Sequence, residues 1–431
     1  MKKTLCLLLA ALLLSGCTLR TVQPAAPDPT ETPAPTLAPT PTPEPTPTPC
    51  PHLRWQDGVC ADCGESCAHE SWQEGVCECC GTVCTHLSHE AESCICTLCG
   101  AFCRHTYFDG VCSRCGAAPV FSDTEVPEEL RQKCEHAGTV HHVQYETQLY
   151  YGVAPGAEIK YNKRMSVYLP YGYDRSKQYD VIVILHGMGC LETYWLDEEQ
   201  FYDHGDTTVY TRDVLDNMID RGLIPPVIVC SPTFYKDQVE HLDYLNPSLF
   251  ATELRNDILP FILEHYGTYA AEPTLEAAAG EREHFAFVGL SMGSMIGFQS
   301  ALSLSLDVFS YFGLYSGCGT YPANILQNIE KEEFKDLPIH YMFNAAGQWD
   351  VALYEHTAYY KELLSKTERV AEGKNAHMIT VQDYGHEFRT WIVALYDSLQ
   401  VFFSYTDGME PEKSPLSCLP PAGEGADEGG G

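Results

Sequence analysis

Six apolar runs between residues 138 and 407, each long enough for a buried strand, limit the folds open to this chain. They read YDVIVILHG, PPVIVCSPT, HFAFVGLS, FSYFGLYSG, LPIHYMFNAAG and HMITVQDYG. Amphipathic helical patterns such as LFATELRNDILPFILEHYG lie between them. Apolar runs without polar alternation are typical of strands that are buried on both faces. The region therefore predicts one α/β domain, a mostly parallel sheet with helices on both faces.

The first residues, MKKTLCLLLAALLLSGC, place two lysines before an apolar run and small residues. This order is typical of a secretory signal peptide, and the run is short for a membrane span. The ending LSGC predicts a bacterial lipoprotein signal over residues 1–16, with cleavage before Cys17 and a lipid on that residue. An ordinary signal peptide with an incidental cysteine is the alternative. The lipoprotein interpretation places the mature chain outside the cytoplasm, anchored to a bacterial membrane.

Three further segments have compositions that do not support a packed core. Residues 17–49 are mostly Pro, Thr, Ala and Glu, which favours an extended spacer near polyproline II geometry. A disordered tail with no mechanical role is the alternative for that segment. Residues 118–137 are interpreted as a linker, and residues 408–431 as a disordered tail.

A cysteine-rich module spans residues 50–117 and is built from four similar units. Residues 50–116 hold 14 of the 21 cysteines in the chain. Each unit reads C-x-H, a spacer of 6 to 9 residues, and then C-x-x-C followed by glycine. The repeated positions are Cys50, His52, Cys60 and Cys63; Cys67, His69, Cys77 and Cys80; Cys84, His86, Cys96 and Cys99; and Cys103, His105, Cys112 and Cys115.

Zinc and disulfides are the two interpretations of this module. Three thiolates and one imidazole form a tetrahedral zinc site, and the histidine in every unit has no role in a disulfide. Repeats this short lack an apolar core, so metal could supply their folding energy. Dense cysteine outside the cell usually indicates disulfides, and Cys79 and Cys94 lie outside the repeat pattern. The histidines favour four closed, structural zinc sites over disulfides, with no catalytic role.

The stretch GLSMGSMIGF at residues 289–298 joins an apolar run to a helical pattern. A G-x-S-x-G sequence is weak evidence by itself, but a strand-to-helix junction is where a nucleophile elbow must lie. Gly289 and Gly293 would be required there, because side chains would collide in so tight a turn. Ser291 is then the predicted nucleophile, with its hydroxyl exposed at the carboxyl edge of the sheet.

A serine hydroxyl needs a base, and in this type of fold the order along the chain is serine, acid, histidine. NAAGQWD ends one predicted strand and supplies Asp350, while VQDYGHEF ends the next and supplies His386. Taken singly, Asp350 could be a loop carboxylate or helix cap, and His386 a surface histidine. Their order and their positions at strand ends predict a catalytic triad. Asp383 is the competing acid, but it lies too close in sequence to His386 for the usual geometry.

The oxyanion of a tetrahedral intermediate needs two hydrogen-bond donors. The backbone N–H of Met292, directly after the nucleophile, is one candidate. The turn LHGMGC, residues 185–190, supplies the N–H of Met188 as the second. A plain strand-to-helix turn is the alternative for that segment.

Residues 160–405 resemble carbohydrate esterase family one, the feruloyl and acetylxylan esterases with their esterase-D relatives. The matching pieces are ILHGMGCLETYW, LPFILEHYG, VGLSMGS, GQWD and GHEFRTW. The resemblance implies an α/β-hydrolase fold, the same triad, and counterparts for Trp195 and Trp391. Ser294 departs from the family's usual third glycine, and Cys190 from a common glycine after the oxyanion turn, where it could alter the turn or join a disulfide.

The function implied is an extracytoplasmic serine esterase that acts on an acyl group, such as ferulate or acetate, on plant cell-wall polysaccharide. Catalysis of this kind needs no cofactor. Siderophore-ester hydrolysis and acyl transfer are alternatives on the same fold. A glycan- or wall-binding protein with a non-catalytic hydrolase scaffold, or a metal-handling surface protein, are alternatives of another class. The net charge of −33 repels phosphate backbones, so no nucleic-acid partner is expected.

Overall fold

The computed structural model describes short hairpin strands between residues 55 and 112 and most of the chain from residue 117 to residue 403. The longer described ranges are 117–150, 158–197, 209–235, 247–319 and 321–403. Cys17 and most residues of the Cys/His units therefore lie outside the described residues. Within the described residues, no helix has the length and apolar character needed to cross a bilayer.

Among the described residues, the same antiparallel hairpin of two-residue strands occurs in the first, second and fourth Cys/His units. The strands are β1 Trp55–Gln56, β2 Val59–Cys60, β3 Trp72–Gln73, β4 Val76–Cys77, β5 Tyr107–Phe108 and β6 Val111–Cys112. In each hairpin an aromatic residue pairs with the first cysteine of the C-x-x-C sequence, as Tyr107 does with Cys112. Asp-Gly or Glu-Gly joins the strands, and Gly110 has the positive φ, 87°, that a tight turn favours. The sequence repeat is thus also a repeat of local structure.

A mixed sheet of eight strands forms the main domain. Its strands are β7 Thr139–Gln148, β8 Lys160–Leu169, β9 Asp180–Leu185, β10 Val227–Pro232, β11 Phe285–Leu290, β12 Tyr311–Tyr315, β13 Tyr341–Gly347 and β14 Ala376–Val381. Across the sheet the order is β14-β13-β12-β11-β9-β10-β8-β7. The six strands β9 to β14 pair in parallel, while β8 and β7 extend the sheet antiparallel at one edge. The six parallel strands coincide with the six apolar runs, so the predicted fold class is confirmed.

Helices cover both faces of this sheet. They are α1 Thr211–Asp220, α2 Pro247–Glu253, α3 Leu259–His265, α4 Leu275–Gly280, α5 Met292–Ile296, α6 Pro322–Ile329, α7 Leu353–Leu364 and α8 Phe388–Val401. A π-helical turn at Leu254–Ile258 joins α2 to α3, and another at Gly297–Leu302 continues α5.

The parallel strands place alternate side chains in two separate cores, as the two-residue period of a strand requires. Val181 and Val183 of β9 face a core completed by α2, α3, α5, α6 and α7. Ile182 and Ile184 face the opposite core, which α1 and α8 cover. Burial on both faces explains why these strands read as unbroken apolar runs in the sequence.

Part of the segment interpreted as a linker packs on the main domain. Val126 and Leu130 are buried in the core that α1 and α8 cover. The backbone N–H of Ser122 donates to Asp397 Oδ1 at 2.9 Å. Asp397 is fully buried, and this burial raises the pKa of its carboxyl to about 8. Burial therefore favours the neutral form of the carboxyl that accepts from Ser122.

The hairpin of the fourth Cys/His unit also contacts the main domain. Tyr107 and Cys112 are buried in the same core as Leu130. A Cβ placed on Gly110 would lie 2.4 Å from the carbonyl oxygen of Gly373, in the loop before β14. This contact lies at the amino-terminal end of β14, whereas the predicted triad residues follow the carboxyl ends of their strands.

Candidate active site

The turn between β11 and α5 has the backbone geometry of a nucleophile elbow. Ser291 adopts φ 51° and ψ −116°, a region that non-glycine residues rarely occupy. A Cβ on Gly289 would lie 2.3 Å from the carbonyl of Gly293, and one on Gly293 would lie 2.5 Å from the carbonyl oxygen of His186. The predicted need for glycine at both positions is therefore confirmed.

The structure brings the three predicted triad side chains into one hydrogen-bonded chain. His386 Nε2 lies 3.0 Å from Ser291 Oγ, and His386 Nδ1 lies 2.9 Å from Asp350 Oδ1. When the ring carries its proton on Nδ1, it donates to Asp350 and its Nε2 accepts the hydroxyl proton of Ser291. This is the geometry that a serine nucleophile, a base and an orienting carboxylate require.

Ser291 is less accessible than the sequence predicts. The residue is 8 % exposed, because the ring of His386 lies against its hydroxyl and the turn after β9 lies against its Cβ. A Cβ placed on Gly187 in that turn would be 3.2 Å from Ser291 Cβ. The nucleophile is therefore enclosed by the residues predicted to activate it and to form the oxyanion site.

Asp350 follows β13 and its side chain is fully buried. Burial alone would raise the pKa of this carboxyl, but hydrogen bonds to His386, to Ser316 and to the N–H of Ala352 outweigh it and lower the pKa below its usual value. Ser316 Oγ donates to Asp350 Oδ2 at 2.5 Å, and Ala352 N–H donates to Oδ1 at 2.7 Å. The environment of Asp350 thus favours the ionised form, which can accept a hydrogen bond from the imidazole Nδ1–H.

Asp383, the competing acid, has a different environment. It is exposed, adopts φ 62°, and its backbone N–H donates to Gln348 Oε1 at 3.0 Å. The carboxylate oxygen that accepts from His386 Nδ1–H belongs to Asp350 instead.

Several hydrogen bonds hold the turn after β9 beside Ser291. His186 Nδ1 lies 2.8 Å from the carbonyl oxygen of Gly187, and its Nε2 lies 2.8 Å from Thr233 Oγ1. The N–H of Gly189 donates to the hydroxyl of Tyr235 at 2.6 Å, and Gly189 has φ 83°. Met188 lies within this turn, so its position is fixed by contacts on both sides.

Met292 begins α5, and the first N–H groups of a helix have no intrahelical acceptor. Met188 belongs to the turn that lies against Ser291, and Met292 follows Ser291 directly in the chain. Their roles as oxyanion donors stay predictions.

Ser294 and Cys190, the two residues that depart from the family pattern, are both buried. Ser294 is fully buried and its hydroxyl donates to the carbonyl oxygen of Gly317 at 2.7 Å. Cys190 is buried at the end of the oxyanion turn, where its N–H donates to the carbonyl oxygen of Gly187. Trp195 is buried with its indole N–H on the carbonyl oxygen of Leu185.

Sequence reasoning missed Ser316 and His356, two buried polar residues behind the triad. Ser316 follows β12, and its position at a carboxyl strand end beside Ser291 and Asp350 was the available signal. His356 lies in α7 with no motif around it. Its Nδ1 accepts from the N–H of Gly317 at 3.2 Å.

Of the predicted zinc ligands, Cys60, Cys77 and Cys112 lie within the described residues. Each ends the second strand of its hairpin, directly before the rest of its C-x-x-C sequence. The described residues therefore give these cysteines equivalent places in three units. The other predicted ligands lie outside the described residues.

Comparison with known proteins identifies the family of this chain. The family model described as Esterase matches residues 156–382. Endo-1,4-beta-xylanase Y of Acetivibrio thermocellus is 32 % identical over 160 residues, which are 36 % of this chain and 13 % of that protein. The chain therefore spans only a small part of the length of that relative.

Solved structures share the fold of the main domain. The feruloyl esterase module from Clostridium thermocellum, complexed with sinapinate, is 24 % identical, with a TM-score of 0.55. The alignment covers 66 % of this chain and 95 % of the module. A structure of FAE is 25 % identical over the same shares, with a TM-score of 0.54. The family match covers more than half of the chain, and the chain belongs to the esterase family.

Proposed function

We propose that this protein is an extracytoplasmic serine esterase that hydrolyses carboxylic esters, and that its substrates are feruloyl or acetyl groups on plant cell-wall polysaccharide. The observation that carries the proposal is the hydrogen-bonded chain from Ser291 through His386 to Asp350, in a member of the esterase family.

In the acylation step, His386 Nε2 takes the hydroxyl proton while Ser291 Oγ attacks the ester carbonyl carbon. The resulting imidazolium donates a hydrogen bond from Nδ1–H to Asp350, which remains ionised and stabilises the positive charge. The Met188 and Met292 amides donate to the developing oxyanion. His386 then returns the proton to the departing alkoxide oxygen, and an acyl-serine remains.

Deacylation repeats these steps with water as the nucleophile. His386 removes a proton from water, the hydroxide attacks the acyl-serine carbonyl, and the proton passes to Ser291 Oγ as the C–O bond breaks. The products are the free acid and the regenerated serine. A carboxylate at Asp350 supports both half-reactions, which agrees with the lowered pKa of that group.

The proposed acyl groups are supported by the relatives and by the surface beside the triad. One relative is a xylanase, and the structurally similar feruloyl esterase module is bound to sinapinate. Trp349, next to Asp350, is 67 % exposed, and Tyr354 at the start of α7 is 84 % exposed. Aromatic faces of this kind can stack on a phenolic ring or a sugar ring.

A direct test compares ester substrates on the purified chain. We expect the chain to hydrolyse p-nitrophenyl acetate. We expect kcat/KM for either methyl ferulate or acetylated xylan to be well above kcat/KM for p-nitrophenyl acetate. The measurement is initial rates by absorbance and by released acetate or ferulate. Absence of turnover on all three esters in a folded preparation would contradict the proposal. Preference for a catecholate ester would indicate siderophore-ester hydrolysis instead. Transfer of the acyl group to an added alcohol would indicate an acyltransferase on the same fold.

The location rests on the sequence at Cys17 and on the segment that follows. We propose that Cys17 is lipidated and that residues 17–49 separate the folded parts from the membrane. Mass spectrometry of the membrane-extracted protein should find an acylated Cys17 at the new N-terminus, and an unmodified chain in the soluble fraction would contradict the anchor.

We also propose that the four Cys/His units bind structural zinc, supported by the equivalent hairpins in three of them. The full chain, purified with reductant, should contain about four zinc ions, one for each unit. Zinc affinity should fall as pH decreases, because the cysteines must lose their protons to bind. Metal analysis by mass spectrometry measures this. Chains without zinc, whose module cysteines are all oxidised, would show disulfides instead.

A further inference from the structure

Residues 315–317, called here the bridge segment, join the nucleophile elbow to the acid of the triad. Tyr315 is the last residue of β12, which lies between β11 and β13 in the sheet, and the other two residues follow it. The N–H of Ser291 donates to the carbonyl oxygen of Tyr315 at 2.8 Å, and the N–H of Ser316 donates to the carbonyl oxygen of Ala345 at 2.8 Å. The segment therefore bonds to Ser291 directly after β11 and to β13, the strand that leads to Asp350.

Ser316 is placed so that its one hydroxyl proton must point at Asp350. Its Oγ accepts the indole N–H of Trp391 at 2.8 Å, and this N–H can only donate. The remaining contact of the hydroxyl is the 2.5 Å hydrogen bond to Asp350 Oδ2. Ser316 is buried and adopts φ 52°, a strained conformation for a residue with a Cβ. The hydrogen bonds to Trp391 and Asp350 hold Ser316 in this strained conformation.

Gly317 makes hydrogen bonds through both its carbonyl oxygen and its N–H. Its carbonyl oxygen accepts from the Ser294 hydroxyl and its N–H donates to His356 Nδ1, while His356 Nε2 lies 3.0 Å from Asn344 Oδ1. A Cβ on Gly317 would lie 2.2 Å from the carbonyl oxygen of Ser291, so the segment packs directly under the nucleophile. Burial lowers the pKa of His356 to about 4, which leaves a neutral ring that can accept at Nδ1.

We propose that Ser316 is a positioning residue for the reaction: it fixes Asp350 through Oδ2, and the bridge segment holds the acid and the nucleophile in register. This inference rests on the proposed function. Ser294, the departure from the family's glycine, adds a link between α5 and the same segment.

Loss of the Ser316 hydroxyl has two chemical consequences. Asp350 Oδ2 loses a donor, which permits the carboxylate to turn away from His386 Nδ1. Its ionised form also loses stabilisation, so Asp350 binds a proton at higher pH. The titratable groups that face Asp350 are His386 and the buried, neutral His356.

The test uses Ser316→Ala and Ser316→Gly in the full chain. Both variants lack the hydroxyl, but glycine tolerates the positive φ, which separates the hydrogen bond from backbone strain. We expect both to lose roughly 10- to 100-fold in kcat, the effect of one hydrogen bond to a charged group, with KM nearly unchanged. In both variants the acid limb of the profile of kcat against pH, where kcat falls as pH decreases, should move to higher pH.

Ser310→Ala is the matched control. Ser310 is a buried serine just before the other end of β12, where its hydroxyl donates to the carbonyl oxygen of Arg282 at 2.8 Å. This variant should lose stability without a change in kcat or in the acid limb. Unchanged kcat and acid limb in both Ser316 variants, or the same losses in Ser310→Ala, would overturn the inference.

A second readout separates this inference from the proposed function. The rate at which a fluorophosphonate probe labels Ser291, followed by mass spectrometry across pH, reports activation of the serine without any ester substrate. If the native chain is labelled but hydrolyses no ester, the proposed function fails, and slower labelling of the Ser316 variants still decides the inference. If the native chain is not labelled at Ser291, both are wrong.

Discussion

We expect Ser291→Ala to lower kcat for ester hydrolysis by roughly 10⁴- to 10⁶-fold, the range found when a member of a serine triad is removed. Without Oγ no acyl-serine can form, and His386 Nε2 loses the group that it lies beside at 3.0 Å. Weak residual turnover would come from substrate binding and the oxyanion donors. Initial rates with p-nitrophenyl acetate, together with thermal unfolding of both proteins, measure the effect.

The fold should tolerate this change, because alanine keeps the Cβ and removes only a hydroxyl. Ser303→Ala is a suitable control, since Ser303 is also a buried serine and its hydroxyl accepts from Asn328 Nδ2 away from the triad. It should retain native kcat. Near-native turnover by a folded Ser291→Ala protein would refute the assignment of the nucleophile.

The six parallel strands were predictable because burial on both faces makes their sequences apolar throughout. The antiparallel edge was not. The strand β7 reads TVHHVQYETQ, and most of its residues are exposed or half-buried, so its composition resembles that of a loop. The packed segment near Val126 was hidden for the same reason, because its few apolar residues stand among acidic ones. Tertiary contacts, rather than local pattern, order these parts.

The triad could be predicted because each member follows the carboxyl end of a parallel strand, and parallel strands bring those ends to one edge. The hydrogen bonds behind the triad, which involve Ser316 and Ser294, could not be predicted from the sequence. Ser316 and Asp350 are 34 residues apart, and Ser294 and Gly317 are 23 apart. A single serine after an apolar strand carries no motif. Only the strand order, with β12 between β11 and β13, shows that these residues meet.

The second large effect concerns the acid. We expect Asp350→Asn to lower kcat by about 10⁴-fold, as loss of the acid does in other serine triads. An amide carries no charge to stabilise the imidazolium, and its NH₂ group would favour the wrong tautomer of His386. His386→Ala should be comparably severe, because the base is then absent. Rates with the same chromogenic ester, measured from pH 5 to pH 9, would show whether a higher pH restores any activity.

Asp383→Asn is the matched change at the competing acid, and we expect kcat within about twofold of the native value, because its carboxylate is exposed and Asp350 accepts the hydrogen bond of His386 Nδ1. Asparagine is also one of the few residues that readily adopts the positive φ found at Asp383, so the turn before His386 should keep its shape. Comparing Asp350→Asn with Asp383→Asn therefore tests which carboxylate accepts the hydrogen bond of His386 Nδ1. A large loss in Asp383→Asn with little loss in Asp350→Asn would reverse the assignment of the acid.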